Sequence, residues 1–180
     1  RVVFYDFSEI GKNVPNRLVG GFDDEFQGDM VPRVTYMGNP YSCAFSGKAL
    51  TFFSSRNLAS PELVEQRNIE ERIDSVFYSD EYAAAIVRNT NGEYGSRLEV
   101  YKKDGTHVLS KEFNFEYTHA DFDGDLIILY NEDSCRIYNM SGTEKFDATF
   151  DFPVSKIRKG RFPGTLVVTG PQQMQELKLR

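Results

Sequence analysis

The sequence predicts an all-β protein, a β-propeller or partial propeller with about four blades of four-stranded antiparallel sheets. Two observations predict this fold. Short segments rich in Val, Ile, Tyr, Phe and Thr alternate with turn signals, as in antiparallel hairpins. An aromatic residue also recurs at Tyr5, Phe53, Tyr101 and Tyr138, with Leu177 as a degenerate fifth copy. A repeat of about 40 residues with about four strands is typical of propeller blades, whereas helical solenoids show a 3.6-residue periodicity.

The repeat divides the chain, taken as one propeller-like domain over residues 1–180, into complete and incomplete blades. Complete blades are predicted at residues 32–71, 72–116 and 117–153, and incomplete ones at residues 1–31 and 154–180. The two ends could join into one blade and close a ring of about four blades. Alternatively, the chain forms an arc whose open ends pair with another chain. For an arc we expect self-association through open blade edges and apolar faces.

Glycine-containing dipeptides mark the turns between predicted strands. They are Asp104-Gly105, Asp123-Gly124, Ser141-Gly142, Ser46-Gly47 and Asn91-Gly92. Tight primed turns need a positive φ, which glycine adopts without steric cost. We therefore expect a positive φ at each of these glycines.

One segment competes with the strand pattern. Ser60 could cap a helix with Pro61 at its first position, and the residues that follow, through Ile73, are good helix formers. Their apolar positions do not form a single helical stripe, and the repeat requires a strand there. We predict a strand over residues 63–68.

Composition excludes several classes of protein. The net charge of -6 leaves no electrostatic footprint for nucleic acid. Apolar runs such as residues 126–130 are far below the ~18 residues that cross a bilayer, so we expect this piece to be soluble. Cys43 and Cys135 both lie in strand-like segments and are interpreted as buried free thiols, with a disulfide or a reactive thiol as the alternative.

One acidic pattern resembles a calcium loop. Asp121, Asp123, Asp125 and Glu132 occupy positions 1, 3, 5 and 12 of an EF-hand spacing. Position 6, which requires glycine, is Leu126, and a buried strand follows it. We interpret the segment as a polar hairpin turn, with a peripheral divalent ion as the alternative, and predict no metal site.

Four further sets of residues have a structural and a functional interpretation. The acidic residues 23–29 suit a solvated loop or a basic partner. Lys156, Arg158, Lys159 and Arg161 form a basic concentration that suits an alternating strand or anionic headgroups. The histidines, His107 and His119, lack a second ligand at metal spacing. The Asn139-Met140-Ser141 sequon lies in a hairpin turn, where Asn and Ser are favoured for backbone reasons. In each case we favour the structural interpretation.

Several strands resemble those of a known family. The matching segments are Lys12-Asn13-Val14, Arg17-Leu18-Val19-Gly20-Gly21-Phe22, Ser75-Val76-Phe77-Tyr78, Arg97-Leu98-Glu99-Val100-Tyr101 and Ile127-Ile128-Leu129-Tyr130-Asn131. They resemble an uncharacterised bacterial membrane-anchored family with a WD40-like or quinoprotein-like β-propeller. The resemblance implies a C-terminal portion on the extracellular face of the membrane, with a single transmembrane helix upstream. The chain has no Trp, so it lacks the Trp-Asp ending of WD40 repeats and the docking tryptophans of a quinoprotein cofactor.

These observations predict a noncatalytic binding or scaffolding module of a bacterial cell-surface protein, with a protein or glycan partner. The alternative is an enzyme, a hydrolase or lyase with its site in the propeller funnel, although this rests on fold-level analogy. A third possibility is a portion that only completes a larger propeller. No catalytic, cofactor-binding or metal-binding residue and no cofactor is predicted.

Overall fold

The computed structural model describes residues 1–7 and 17–179, and these form seventeen strands and one single-turn 3₁₀ helix, Asp24–Phe26. In chain order the strands are β1 (Val2–Tyr5), β2 (Leu18–Phe22), β3 (Arg33–Tyr36), β4 (Tyr41–Phe45), β5 (Ala49–Ser54), β6 (Glu62–Asn68), β7 (Ile73–Tyr78), β8 (Tyr82–Arg88), β9 (Ser96–Lys102), β10 (His107–Phe113), β11 (His119–Asp123), β12 (Leu126–Tyr130), β13 (Ser134–Asn139), β14 (Glu144–Thr149), β15 (Lys156–Lys159), β16 (Thr165–Thr169) and β17 (Met174–Lys178).

The strands form five antiparallel sheets in which sequence neighbours pair. The first sheet contains β1 and β2, the second β3 to β6, the third β7 to β10, the fourth β11 to β14, and the fifth β15 to β17. This succession of antiparallel meanders, three of which are four-stranded, confirms the predicted all-β propeller architecture. The predicted segment Lys12-Asn13-Val14 lies outside the described residues.

The aromatic repeat marks the third strand of each sheet. Phe53, Tyr101 and Tyr138 lie on β5, β9 and β13, and Leu177 lies on β17. By the same register, β1, which carries Tyr5, corresponds to a third strand. Among the residues described, the first sheet therefore contains counterparts of the third and fourth strands, whereas the fifth sheet contains those of the first three.

Each sheet packs on the next through an apolar cluster. Four clusters join the first sheet to the second, the second to the third, the third to the fourth, and the fourth to the fifth. The first strands β7 and β11 approach each other, so the first strands lie on the inside of the curve. No cluster of the described residues joins the first sheet to the fifth. The face of the first sheet with Val3 and Tyr5, which a closed ring would bury, is exposed, so the described residues form an open arc.

The segment after Pro61 is a strand, as predicted. Strand β6 pairs with β5 from Glu62 to Asn68, with one irregularity between Phe52 and Phe53 on β5. Pro61 is buried. It packs against the first sheet, because a Cβ built on Gly20 would lie 3.2 Å from Pro61 Cδ. Pro61 therefore packs the first sheet onto the second instead of starting a helix.

The turn prediction is correct at three glycines and wrong at two. Gly105, Gly124 and Gly142 have φ of 83°, 61° and 77°. Gly105 N donates to Lys102 O at 2.8 Å while Lys102 N donates to Thr106 O, the pattern of a type I turn followed by a left-handed glycine rather than a primed turn. Gly47 and Gly92 do not have a positive φ. At Gly92 glycine is required by space, because a Cβ would lie 1.9 Å from Asn89 Nδ2.

Both cysteines are free and buried, as interpreted from the sequence. Burial raises the pKa of the Cys135 thiol to about 12 and that of Cys43 further still, so both side chains act as small apolar groups. The described part of the chain has no helix with the length and apolar character that crossing a bilayer requires.

Candidate binding surfaces

The acidic loop and the basic concentration meet at the joint between the fourth and fifth sheets. Lys159 N donates to Asp123 Oδ2 at 2.6 Å, and Lys159 Nζ pairs with Asp125. Lys156 Nζ lies 3.7 Å from Asp121. The hydrogen bond from Lys159 lowers the pKa of Asp125. Three of the four carboxylates with EF-hand spacing therefore face lysine side chains or backbone donors of the next sheet.

The remaining members of these two sets, Glu132, Arg158 and Arg161, form no ion pair with the described residues. Glu132 O accepts a backbone hydrogen bond from Val154 N at 2.6 Å. Arg158 and Arg161 are exposed, and Arg161 lines an open cavity of about 420 Å³ beside Phe162. The hairpin between β11 and β12 has Gly124 at its first central position, as predicted for a polar turn.

The acidic residues 23–29 are engaged locally. Arg1 Nε lies 3.1 Å from Asp23 Oδ1, and Gln27 Nε2 donates to Asp24 Oδ1 at 2.8 Å. A hydrogen bond from Ser46 lowers the pKa of Asp29. The segment contains the 3₁₀ helix, and Phe26 of this helix is buried against Phe53. This contact packs the loop between the first two sheets against the second sheet.

Sequence reasoning missed a polar cluster on the third sheet that is centred on the buried Glu99. Glu99 accepts hydrogen bonds from Arg97 Nε at 2.5 Å and Ser110 Oγ at 2.8 Å, and lies 3.3 Å from His107 Nε2. Arg97 Nη1 also lies 2.8 Å from Glu71 Oε1. Burial, together with the charge of Glu99, raises the pKa of the neighbouring Tyr101 to about 12. A charged residue between apolar neighbours, Leu98 and Val100, was the only available signal.

Hydrogen bonds shift the pKa of several carboxyl groups. Among the described residues the pKa is lowered at Asp29, Glu71, Asp104 and Asp125, each mainly by a hydrogen bond to the ionised form. A carboxylic acid that donates a proton near neutral pH needs the opposite shift.

The predicted histidine and sequon residues make local contacts. His119 stacks on Tyr130 with ring centroids 4.8 Å apart. Asn139 of the sequon accepts hydrogen bonds from Ser141 N and Thr143 N in its turn.

Exposed apolar side chains cover the outer face of the first sheet. Val3, Tyr5 and Leu18 lie on the face opposite to Phe4, which packs on Phe53, and Phe7 continues this face beyond β1. The rings of Tyr5 and Phe7 are 6.3 Å apart. We call Val3, Tyr5, Phe7 and Leu18 the outer patch.

A second exposed apolar pair lies on the innermost strand of the second sheet. Val34 and Tyr36 are 52% and 62% exposed. Val34 pairs with Ala44, which belongs to the cluster shared with the first sheet. Because paired residues share a face of the sheet, Val34 and Tyr36 face the side of the first sheet. In the part of the chain that the structure describes, the first sheet has no inner strands that would cover them.

Sheet order, repeat register and packing together define a β-propeller protein. Solved propeller structures are similar to the chain: BBS1N in complex with ARL6DN (TM-score 0.53, 8% identity, 87% of this chain and 53% of that one) and HIRA(644-1017) (0.53, 10%, 79% and 49%). Saccharomyces cerevisiae Sqt1 is a third (0.51, 13%, 84% and 46%). The chain thus spans about half the length of these structures.

The comparison with curated proteins gives no match. The model of a family of unknown function, DUF5711, matches residues 1–179, and the chain belongs to that family.

Proposed function

We propose that the chain is a noncatalytic binding module that holds a protein partner on the outer patch. One observation carries the proposal. The repeated ring is buried against the preceding sheet at Phe53, Tyr101 and Tyr138, which are 0%, 6% and 2% exposed, whereas Tyr5 at the same register is 53% exposed. Every other copy of this position is an interface between sheets.

The same comparison indicates the chemistry of the partner. The faces that cover Phe53, Tyr101 and Tyr138 are apolar sheet faces, such as that of β1 with Val2 and Phe4. We therefore propose a partner polypeptide that presents an apolar β-sheet face. BBS1N, one of the similar structures, was solved in complex with ARL6DN, which supports protein binding as a use of this fold.

The cellular setting is proposed from the family resemblance. We propose that the chain belongs to a bacterial protein anchored in the membrane upstream of Arg1, with this portion on the extracellular side. Protease treatment of intact cells tests this setting: the chain should be digested without lysis. Digestion that requires lysis would place it inside the cell.

Site-specific photocrosslinking tests the binding proposal. A benzoylphenylalanine at Tyr5 should form one discrete protein adduct in cells, and Phe7→Ser with Leu18→Ser should abolish it. The matched control is the same crosslinker at Tyr94, an exposed loop tyrosine, which should form none. Equal adducts at Tyr5 and Tyr94, or capture of glycan in place of protein, would contradict the proposal.

The outer patch also predicts weak self-association when the partner is absent. Light scattering at high concentration should detect a dimer that Phe7→Ser dissolves, because exposed apolar faces associate. The control Phe162→Ser removes an equally exposed ring near the fifth sheet and should leave the dimer intact. A monomer at high concentration would contradict this expectation.

A further inference from the structure

The inner edge of the first sheet is an open strand edge. Among the described residues β1 pairs with β2 alone. Asp6 N donates to Arg17 O across the hairpin at 2.8 Å. Backbone groups alternate in direction along a strand, so the N–H and C=O groups of Val3 and Tyr5 point away from β2. These groups form an unpaired ladder.

Beside this edge the first sheet has room for two more strands, in the positions that the first and second strands occupy in the other sheets. In the fourth and fifth sheets, the first strands β11 and β15 carry Phe122 and Ile157, which are buried against the preceding sheet. In the second sheet, the corresponding first strand β3 presents Val34 and Tyr36 uncovered. The residues that would cover β3 belong to a first strand, and a first strand lies two positions inward from β1. A single added strand would therefore not reach them.

We propose that β1 accepts an antiparallel β-hairpin with one apolar face, which extends the first sheet to four strands and covers Val34 and Tyr36. This inference rests on the proposed function and names the partner's structure at the inner edge. Main-chain hydrogen bonds to β1 supply pairing, and the side chains facing β3 supply specificity.

A second copy of the chain fits this edge poorly. Antiparallel pairing of two β1 strands relates them by a twofold axis normal to the joined sheet. That axis places both second sheets on the same face of the joined sheet, where each would occupy the space of the other's inner strands. A hairpin without an attached blade avoids this clash.

The third sheet provides a probe, a synthetic peptide of residues 73–88 that spans β7 and β8. In the chain these strands hold the first and second positions beside β9, and their face with Phe77, Ala84 and Ile86 packs on the next sheet. Titrated into the dilute 15N-labelled chain, the peptide should bind one to one. It should slow amide hydrogen exchange at Val3 and Tyr5 at least tenfold.

Val3→Pro is the decisive variant. Proline removes the outward N–H of residue 3 and keeps the bonds to β2, so affinity should fall at least tenfold, while the matched control Val3→Thr retains it. Tyr36→Ser should also weaken binding about tenfold, and Phe162→Ser should not. A scrambled peptide of the same composition should not bind.

Three results would overturn the inference: peptide binding unchanged in Val3→Pro and Tyr36→Ser, no binding to the wild-type chain, or a dimer that Val3→Pro dissolves and Phe7→Ser leaves intact. The last would place a second copy on the edge. A crosslinked adduct at Tyr5 without hairpin binding would contradict this inference alone. Loss of the adduct would contradict the proposed function.

Discussion

At the scale of single residues, glycine is needed in this fold for two different reasons, a positive φ and a lack of space for a side chain. Gly105 combines a left-handed φ with a crowded site, since a Cβ would lie 2.5 Å from Glu65 Cβ. Gly28 has a similar φ of 73° and an open site. Gly92 is crowded without a positive φ. The sequence signals a turn at Asp104-Gly105 and Asn91-Gly92 alike, because crowding depends on neighbours that are distant in the chain.

Gly105→Ala should therefore destabilise the protein more than Gly28→Ala. Both variants place a side chain at positive φ, which costs about 1–2 kcal/mol. Gly105→Ala adds a clash against the second sheet, a further ~1–3 kcal/mol. Urea denaturation measures the difference, and equal losses for the two variants would contradict the packing of this turn on β6.

Glu71 gives the protein a defined pH dependence. The hydrogen bond from Arg97 lowers the pKa of Glu71 from 4.5, so the ionised form contributes stability above that pH, and the contribution is lost as pH falls through the lowered pKa. Glu71→Gln should cost about 1 kcal/mol at pH 7 and progressively less below pH 4.5. Glu70→Gln, at the exposed neighbouring carboxylate, is the control. Parallel stability curves for wild type and Glu71→Gln would contradict this account.

The Glu99 cluster shows where residue-level prediction from the sequence ends. Arg97 and Glu99 lie two residues apart on β9, but the other partners come from β10 and, through Arg97, from the loop after β6. Strand register brings Ser110 and His107 to it. No local pattern specifies those contacts.

At the scale of elements, periodicity predicts the strands well because each blade repeats the same local hairpins. The residues before Glu62–Asn68 resemble the start of a helix, but the repeat correctly predicts a strand there. The sequence also placed Tyr5 in register with Tyr138. It could not show that one ring is buried and the other exposed, because that depends on which sheet precedes each.

Tyr138→Ala should accordingly cost far more stability than Tyr5→Ala. Tyr138 is packed between the third and fourth sheets, and truncating a buried aromatic costs about 3–5 kcal/mol. At the exposed Tyr5 the change should stay within about 0.5 kcal/mol. Thermal unfolding of both variants checks this, and similar losses would mean that Tyr5 is covered in the free chain.

At the scale of the whole molecule, the sequence left ring and arc open because its incomplete blades together hold five strands, one more than a blade needs. The joint between the fourth and fifth sheets was recoverable in principle. Asp125 and Lys159 are 34 residues apart, about one repeat, so aligned repeats bring the acidic and basic sets to neighbouring sheets. The exposed first sheet had no such signal, since Val3, Tyr5 and Leu18 look like core residues.

Single-residue amide hydrogen exchange of the free chain tests the open first sheet most directly. We predict slow exchange at Phe4 and Asp6, whose N–H groups face β2, and fast exchange at Val3 and Tyr5. On β9, which has neighbours on both sides, consecutive amides from Leu98 to Val100 should all exchange slowly. Slow exchange at Val3 and Tyr5 as well would show that a strand already covers this edge, and would contradict the open arc.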